Sequence, residues 1–229
     1  MAFAAHGAQV VIHGRDEEAL ETVQTRIETG GGQAMPVTGD VTSFADIEAI
    51  RARIAQAYGP VDVLVTSAGG SASRPGPIED ISEESWRADI DGNLTATFLT
   101  VKSFLPGMKA RGAGSIITMS SAAGRRAHAG TLVAYAAAKA GVQLFTQDLA
   151  AQVGPHGIRA NCIAPETILT DRNKAWIPDE QQHAMIQLHP LRRLGTPQDV
   201  ARAAVYLASD QASWITGVIL DISGGAVMV

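Results

Sequence analysis

The sequence predicts an α/β fold, a doubly wound parallel sheet in a three-layer α/β/α arrangement. Two observations support this: apolar runs alternate with helical patterns along all 229 residues, and most of these runs lack the polar alternation of half-exposed strands. The predicted strands are residues 9–13, 34–37, 61–66, 115–119, 159–163 and 218–222. The predicted helices are residues 16–29, 43–58, 86–109, 133–153 and 197–208.

The helices are justified by apolar spacing and by signals at their ends. Apolar residues recur at helical spacing in the first two helices, at Leu20, Val23, Ile27, Ile47, Ile50 and Ile54. Residues 30–32 are glycines that end the first helix, Ser82 marks the start of the third, and Thr196 with Pro197 starts the last.

The chain is predicted to form one domain, residues 1–229, because no linker rich in Pro or Ser and no internal repeat interrupts the pattern. Residues 166–193 form its longest stretch without a strand and are rich in charged residues and Gln. We expect this stretch to cover the substrate side of a pocket as a mobile helical lid.

Composition limits the partners and the location. The chain is 46% hydrophobic and 18% charged with a net charge of −5, and its Lys and Arg residues are scattered, so we expect a globular chain without a nucleic-acid partner. No apolar run approaches the ~18 residues of a membrane span. The absence of a secretory signal and the single cysteine, Cys162, favour a cytoplasmic location. The histidines show no metal-ligand spacing, so no metal site is expected.

The sharpest chemical signal is Tyr135 four residues before Lys139, in an alanine-rich helical segment. This spacing places both side chains on one helix face. A free tyrosine has a pKa of about 10, and a neighbouring ammonium is expected to lower the pKa of Tyr135 towards the range useful for proton transfer. A chance pairing on an amphipathic helix is the alternative.

A serine favours the chemical interpretation. The predicted strand at 115–119 delivers Ser120 and Ser121 at its carboxyl end, where open α/β sheets bind ligands. Ser121 and Tyr135 would then both donate hydrogen bonds to one carbonyl oxygen, whereas a loop cap is the alternative role for Ser121. A hydrolase serine is not indicated, because the G-x-S-x-G elbow is absent.

These segments resemble the active site of the short-chain dehydrogenase/reductase family. The resemblance rests on the motif ITMSSAAG followed by YAAAKAGV. Further motifs of the family lie before and after it, in the family's order, over nearly the whole chain. They are GDVT at 39–42, VDVLVTSAGG at 61–70, DGNLTATFL at 91–99, GIRANCIAP at 157–165 and LRRLGTPQDVARAAVYLASDQASWITG at 191–217. Thr66 and Ser67 stand where the family has two asparagines.

The resemblance implies a Rossmann-like enzyme that interconverts a carbonyl and an alcohol by hydride transfer with a nicotinamide cofactor. Tyr135 would be the general acid or base, Lys139 would lower its pKa and bind the nicotinamide ribose, and Ser121 would orient the substrate oxygen. Asn93 would hold a water that links Lys139 to solvent. Further cofactor contacts would be Asp40 and Val41 at the adenine, Ala68 and Gly69 at the ribose, and Ile168 and Thr170 at the carboxamide.

The nucleotide preference is predicted from the residues that follow the predicted strand at 9–13. Gly14 stands where similar NAD enzymes carry an acidic residue, and Arg15 follows it. Because an arginine there can accommodate the 2′-phosphate, NADP(H) is favoured over NAD(H). A solvated residue at the start of the helix is the alternative for Arg15, and the adjacent Asp16 complicates the choice.

The sequence departs from the family at its start. No first strand and no glycine-rich phosphate loop precede residues 9–13, and residues 30–32 follow a helix rather than a strand. We expect cofactor binding to be weak or lost without that loop. Three interpretations are open: an ordinary reductase with a truncated or misplaced start, a rebuilt sheet that binds nucleotide, and a cofactor-free or inactive protein on this scaffold. The intact catalytic residues favour the first.

Two smaller features concern the substrate. Glu166 replaces a glycine of the family and would either bind a polar substrate or point to solvent. Arg125, Arg126 and His128 lie between Ser121 and Tyr135. The two arginines suggest an anionic or polar substrate, although a solvated loop is the favoured alternative.

Two kinds of partner are implied by the resemblance. One is a small-molecule carbonyl or alcohol substrate. The other is further copies of the chain, in a homodimer or homotetramer with the predicted helices 86–109 and 133–153 at an interface.

Overall fold

Strands and helices alternate along the chain, as predicted. The computed structural model describes residues 1–72, 75–127 and 132–229, apart from the side chains of Arg172 and Trp176. Its strands are β1 (Gln9–Gly14), β2 (Gln33–Thr38), β3 (Val63–Thr66), β4 (Gly114–Met119), β5 (Ile158–Pro165) and β6 (Ile219–Ile222). Its helices are α1 (Ala2–Ala5), α2 (Glu17–Thr29), α3 (Phe44–Tyr58), α4 (Glu83–Ile90), α5 (Ala96–Arg111), α6 (Val133–Val153), α7 (Asp171–Trp176), α8 (Asp179–Leu188) and α9 (Pro197–Ala208).

All the strand pairs are parallel, and they form two sheets. β1 pairs with β2, with Gln9 opposite Gln33, and the four-stranded sheet has the order β3-β4-β5-β6. Within the described residues no hydrogen-bonded strand pair joins β1 to β3, so the single sheet of the prediction is observed as two. The parallel order brings the carboxyl ends of β3, β4 and β5 to the same edge.

The layered arrangement follows from the burial of the central strands. Ile116 and Ile117 of β4 are fully buried and face opposite sides of the sheet. Ile116 belongs to a cluster with Ile47 and Val153, from α3 and α6, whereas Ile117 packs with Leu207 of α9. Helices therefore cover both faces of this sheet, which explains why its strands are apolar without alternation.

The long helix predicted at 86–109 is interrupted. α4 begins after Ser82, whose hydroxyl accepts a hydrogen bond from Ser85 N at 3.1 Å. A π-helical turn at Asp91–Thr95 then separates α4 from α5. Such turns occur frequently at functional sites, and this one contains the fully buried Asn93.

The stretch predicted to be a lid forms α7 and α8 and contains no regular strand. α8 fully buries none of its residues. The base of the stretch is fixed by an isolated parallel bridge between Ile168 and Gly195, in which Leu169 N donates to Gly195 O at 2.8 Å. In the part of the chain that the structure describes, no helix is both long enough and apolar enough to cross a membrane.

Candidate active site

Ser121 lies just beyond the carboxyl end of β4, where it caps a short 3-10 turn, Ala122–Gly124. Its hydroxyl accepts from Ala123 N at 3.2 Å and lies near enough to the Tyr135 phenol to lower the pKa of that group. The turn packs tightly on α6, because a Cβ on Gly124 would lie 2.6 Å from Ala140 N. Ser121 is thus both a loop cap and a neighbour of Tyr135.

Lys139 lies one turn after Tyr135 on α6, as the spacing predicts. Its Nζ is 5.6 Å from the centroid of the Tyr135 ring and donates to Met119 O at 2.9 Å. The residue is only 4% exposed. This burial lowers the pKa of the Lys139 ammonium to about 8.

The pKa of Tyr135 differs from the expectation. Burial has the largest effect and raises the pKa of the phenol, and the charge of Asp89 also raises it, whereas the hydrogen bond with Ser121 lowers it. The Lys139 ammonium donates to the Met119 carbonyl instead. The lowering that the sequence predicted is therefore not found, and Tyr135 is protonated at neutral pH.

Asn93 anchors the loop that follows β3. Its Oδ1 accepts from Gly70 N at 3.1 Å, and its Nδ2 donates to Gly70 O and Asp89 O, each at 2.8 Å. A Cβ on Gly69 would overlap Asn93 Oδ1 and lie 3.3 Å from Lys139 Nζ. The structure thus brings Gly69, Asn93 and Lys139 together, while the water relay assigned to Asn93 stays a prediction.

Asp89 is a site residue that sequence reasoning missed. It is fully buried on α4, one turn before Asn93. Its carboxylate accepts from Ala72 N at 2.6 Å and from Ser71 Oγ at 3.5 Å. The four-residue spacing to Asn93 was the available signal, but an aspartate on a helix is usually solvated.

The residues predicted to bind adenine and its ribose lie at the carboxyl ends of β1 and β2. Arg15 is exposed directly after β1. The carboxylate of Asp40 accepts from Thr42 N at 2.8 Å and Thr42 Oγ1 at 2.7 Å; these bonds lower the pKa of Asp40, and the charge of Arg15 lowers it further. Val41 is half-buried against the core. Ala68, half-buried after β3, completes this edge.

Ile168 and Thr170, predicted to contact the carboxamide, lie at the base of the 166–193 stretch. Ile168 O accepts from Asn173 Nδ2 at 2.8 Å. Thr170 caps α7, because its Oγ1 accepts from Asn173 N at 3.2 Å. Their hydrogen bonds in the structure are therefore within this stretch.

Two of the charged residues that the sequence predicts on the substrate side, Glu166 and Arg125, are paired within the protein. Glu166 does not simply point to solvent, because its carboxylate binds His189 Nε2 at 2.7 Å, and its binding of a polar substrate stays a prediction. Arg125 donates to both carboxylate oxygens of Asp221, at 2.9 and 3.0 Å, so it is committed to β6 rather than to an anionic substrate. Arg126 is exposed, and His128 lies outside the described residues.

Metal ligands are not grouped in this region. Across residues 1–72, 75–127 and 132–229, no set of three or more His, Cys, Asp or Glu side chains is arranged to hold a metal ion. The chemistry available is that of two hydroxyls, a buried ammonium and a buried carboxylate.

Comparison with known proteins assigns the family. A family model described as Enoyl-(Acyl carrier protein) reductase matches residues 1–227. The chain belongs to the short-chain dehydrogenase/reductase family. The 7alpha-hydroxysteroid dehydrogenase of Escherichia coli (strain K12) is 36% identical over 225 residues, which are 98% of this chain and 87% of that protein. The 3-oxoacyl-(acyl-carrier-protein) reductase FabG of Chlamydia muridarum is 38% identical over 225 residues, which are 97% and 89% of the two chains.

Solved structures of short-chain dehydrogenases/reductases match the fold. A 7α-hydroxysteroid dehydrogenase complexed with NADH and 7-oxo glycochenodeoxycholic acid is 36% identical with a TM-score of 0.92, and the match covers 100% of this chain and 88% of that one. A gluconate 5-dehydrogenase from Burkholderia cenocepacia, in complex with NADP and tartrate, is 29% identical with a TM-score of 0.90 and coverage of 98% and 88%. This family member is therefore an oxidoreductase that acts on CH–OH and C=O groups.

Proposed function

We propose that the chain is an NADP(H)-dependent oxidoreductase that interconverts a small-molecule carbonyl and an alcohol, with Tyr135, Lys139, Ser121 and Asn93 as its site. One observation carries the proposal: Tyr135 has both Ser121 and Lys139 as neighbours, since the Ser121 hydroxyl lowers the pKa of the phenol and the ammonium of Lys139 is 5.6 Å from the centroid of the Tyr135 ring. Two hydroxyls this close can donate to the same carbonyl oxygen.

The residues present fit a nicotinamide dinucleotide along the same edge of the sheets. Gly69 and Gly70 have φ values of +142° and +149°. Gly69 lies where a Cβ would overlap Asn93 Oδ1 and would be 3.3 Å from Lys139 Nζ. Thr66 Oγ1, at the end of β3, is buried and has no hydrogen-bond partner among the described residues. The residues proposed to hold the cofactor are Arg15, Asp40, Val41, Ala68, Gly69, Tyr135, Lys139, Ile168 and Thr170.

In reduction, Ser121 and Tyr135 bind and polarise the carbonyl oxygen. A bound nicotinamide cofactor supplies the hydride. The Tyr135 O–H bond then breaks and its proton passes to the oxygen, which becomes the alcohol hydroxyl. Lys139 stabilises the phenolate left behind, because an ammonium near a phenolate favours the charged form.

The protonation states of the pair suit this direction. The raised pKa of Tyr135 keeps its proton available at neutral pH. The pKa of Lys139, about 8, keeps the ammonium charged below that pH and neutral above it. We therefore propose that reduction weakens as the pH rises through about 8, because the charge that stabilises the phenolate is then lost.

The preference for NADP(H) rests on Arg15. This exposed side chain follows β1, and its charge acts on Asp40 at the end of β2. A guanidinium at that corner supports binding of a 2′-phosphate. The relatives do not decide the preference, because one solved structure holds NADH and another holds NADP.

The chain is further proposed to act as a single domain, residues 1–229, in a homodimer or homotetramer. Phe98 on α5 is 45% exposed and Leu144 on α6 is 61% exposed, so both helices present large apolar side chains on their outer faces. Contact with a second copy would cover them. Light scattering tests this, and a monomer at micromolar concentration would contradict it.

The proposed activity is tested by titrating the chain with NADPH and then assaying carbonyl reduction. The panel follows the relatives: a 7-oxo bile acid, a 3-oxoacyl thioester and 5-ketogluconate. We expect weak but saturable NADPH binding and turnover of at least one panel member. An absence of binding at millimolar NADPH would refute the proposal.

A further inference from the structure

Glu166 and His189 form a hydrogen-bonded pair that sequence reasoning did not foresee. Glu166 directly follows β5, and its backbone N–H donates to Ile222 O at 3.1 Å. His189 directly follows α8 and is almost fully buried. The two residues are 23 positions apart, and His189 Nε2 lies 2.7 Å from Glu166 Oε2.

The partners of His189 define the protons on its ring. Nδ1 lies 2.8 Å from Met185 O, and a carbonyl only accepts, so Nδ1 carries a proton. A neutral ring would then turn a lone pair at Nε2 towards the Glu166 carboxylate. Because two lone pairs repel at 2.7 Å, the bond requires a proton between His189 and Glu166.

The segment between the pair, residues 167–188, is held mainly at its ends. α8 fully buries none of its residues, and Leu188 is exposed. At the base, Gly195 N donates to Thr167 O at 3.1 Å, and Thr167 N donates to Glu166 Oε2. With so little packing along α8, the position of the segment depends on these basal bonds.

We propose that Glu166 and His189 are positioning residues that clasp the two ends of the 167–188 segment and so hold it over the substrate side of the site. This inference rests on the proposed function in one respect, namely which side of the site the substrate occupies. The clasp itself follows from the hydrogen bonds between β5, α8 and the connecting segment. It acts on substrate binding rather than on proton transfer, which Tyr135 performs.

The experiment compares Glu166→Ala, Glu166→Gln and a control, Glu180→Ala, which removes an exposed carboxylate on α8. Glu166 is 28% exposed, so its truncation should leave the fold intact. In Glu166→Ala we expect amide hydrogen exchange in residues 167–188 to accelerate about ten-fold. For the panel carbonyl that the wild-type chain reduces, KM should rise about ten-fold while kcat changes less than about two-fold.

Glu166→Gln tests the hydrogen bond apart from the charge. Its amide N–H can donate to the unprotonated Nε2 of a neutral ring, whose Nδ1–H still donates to Met185 O, but an amide nitrogen in that position cannot accept from Thr167 N as Glu166 Oε2 does. We therefore expect exchange and KM in Glu166→Gln to lie between those of wild type and Glu166→Ala, and no change in Glu180→Ala.

Two results would overturn the clasp. Unchanged exchange in Glu166→Ala would show that the pair does not hold the segment. A KM in Glu166→Gln as high as in Glu166→Ala, without the same acceleration of exchange, would show that the carboxylate charge acts on a ligand directly. The exchange measurement needs no turnover, so a failure of the clasp is distinguishable from a failure of the proposed reaction.

Discussion

Gly69 lies directly against the side chain of Asn93, so closely that a Cβ at residue 69 would overlap Asn93 Oδ1. The same amide binds Gly70 through two hydrogen bonds. The loop after β3 is thereby held against the π-helical turn and against Lys139. This contact connects the proposed cofactor edge to the proposed catalytic residues.

Gly69→Ala should therefore impair the site more than Gly70→Ala. Both glycines have positive φ, so either substitution strains the backbone by about 1 kcal/mol. Only at residue 69 does the new methyl group meet Asn93, whereas nothing lies within 4 Å at residue 70. We expect turnover to fall about ten-fold or more in Gly69→Ala but not in Gly70→Ala. Urea unfolding of both variants checks that their stabilities are similar. Equal effects on turnover would contradict the contact.

Lys139→Met should stabilise the fold while it abolishes turnover. Burial lowers the pKa of Lys139 from 10.5 to about 8, so at pH 7 the folded state carries an unfavourably buried charge. We expect removal of this charge to raise the free energy of unfolding at pH 7 by about 1–3 kcal/mol. Loss of the hydrogen bond to Met119 O offsets part of that gain. Urea unfolding measures the gain.

The gain in Lys139→Met should shrink between pH 8 and pH 10.5. In that window the unfolded wild-type chain binds the lysine proton and the folded chain does not, so wild-type stability rises with pH. The exposed Lys109 supplies the control, since Lys109→Met should change stability by less than about 0.5 kcal/mol. A gain that does not vary over this range would contradict the depressed pKa.

Arg15→Ala should weaken NADPH binding selectively. Loss of a guanidinium that faces a 2′-phosphate is expected to raise the Kd for NADPH about ten-fold or more, with little change for NADH. Fluorescence titration with both nucleotides measures this. Arg53→Ala, at another exposed arginine, is the control. If Arg15→Ala alters neither Kd, Arg15 is a solvated residue and the preference is unfounded.

Glu48→Gln should reduce stability at neutral pH but not in acid. Hydrogen bonds from Arg51 and Ser103 lower the pKa of Glu48 from 4.5 to about 2. Because the folded pKa is depressed, the contribution of the carboxylate is present above pH 4.5 and is lost as the pH falls towards 2. Urea unfolding of wild type and variant should converge over that range, while Glu21→Gln, at an exposed site, should follow wild type throughout. A difference in unfolding free energy between wild type and Glu48→Gln that stays constant over this pH range would exclude this role of Glu48.

The strands and the family were predictable because their signals are local. Apolar runs such as 115–119 mark buried parallel strands, and the four-residue spacing of Tyr135 and Lys139 marks a helix face. The assignment of the catalytic residues and the NADP(H) preference still await the experiments above.

The remaining features depend on tertiary contacts. The phenol of Tyr135 has a raised pKa because the fold buries it, and burial is not visible in a helical spacing. Arg125 and Asp221 are 96 positions apart, and Glu166 and His189 are 23 apart, so only the topology shows that they are paired. The division into two sheets likewise reflects which strands pair, and apolar runs do not specify pairing.

Tyr135→Phe tests the central claim most directly, because it removes one hydroxyl and leaves the ring in place. Turnover of the preferred panel carbonyl with NADPH should fall about 10³-fold, while the Kd for NADPH, measured by fluorescence on the same sample, should stay within about two-fold. Retained turnover with unchanged NADPH binding would show that Tyr135 is not the proton donor and would contradict the proposed site.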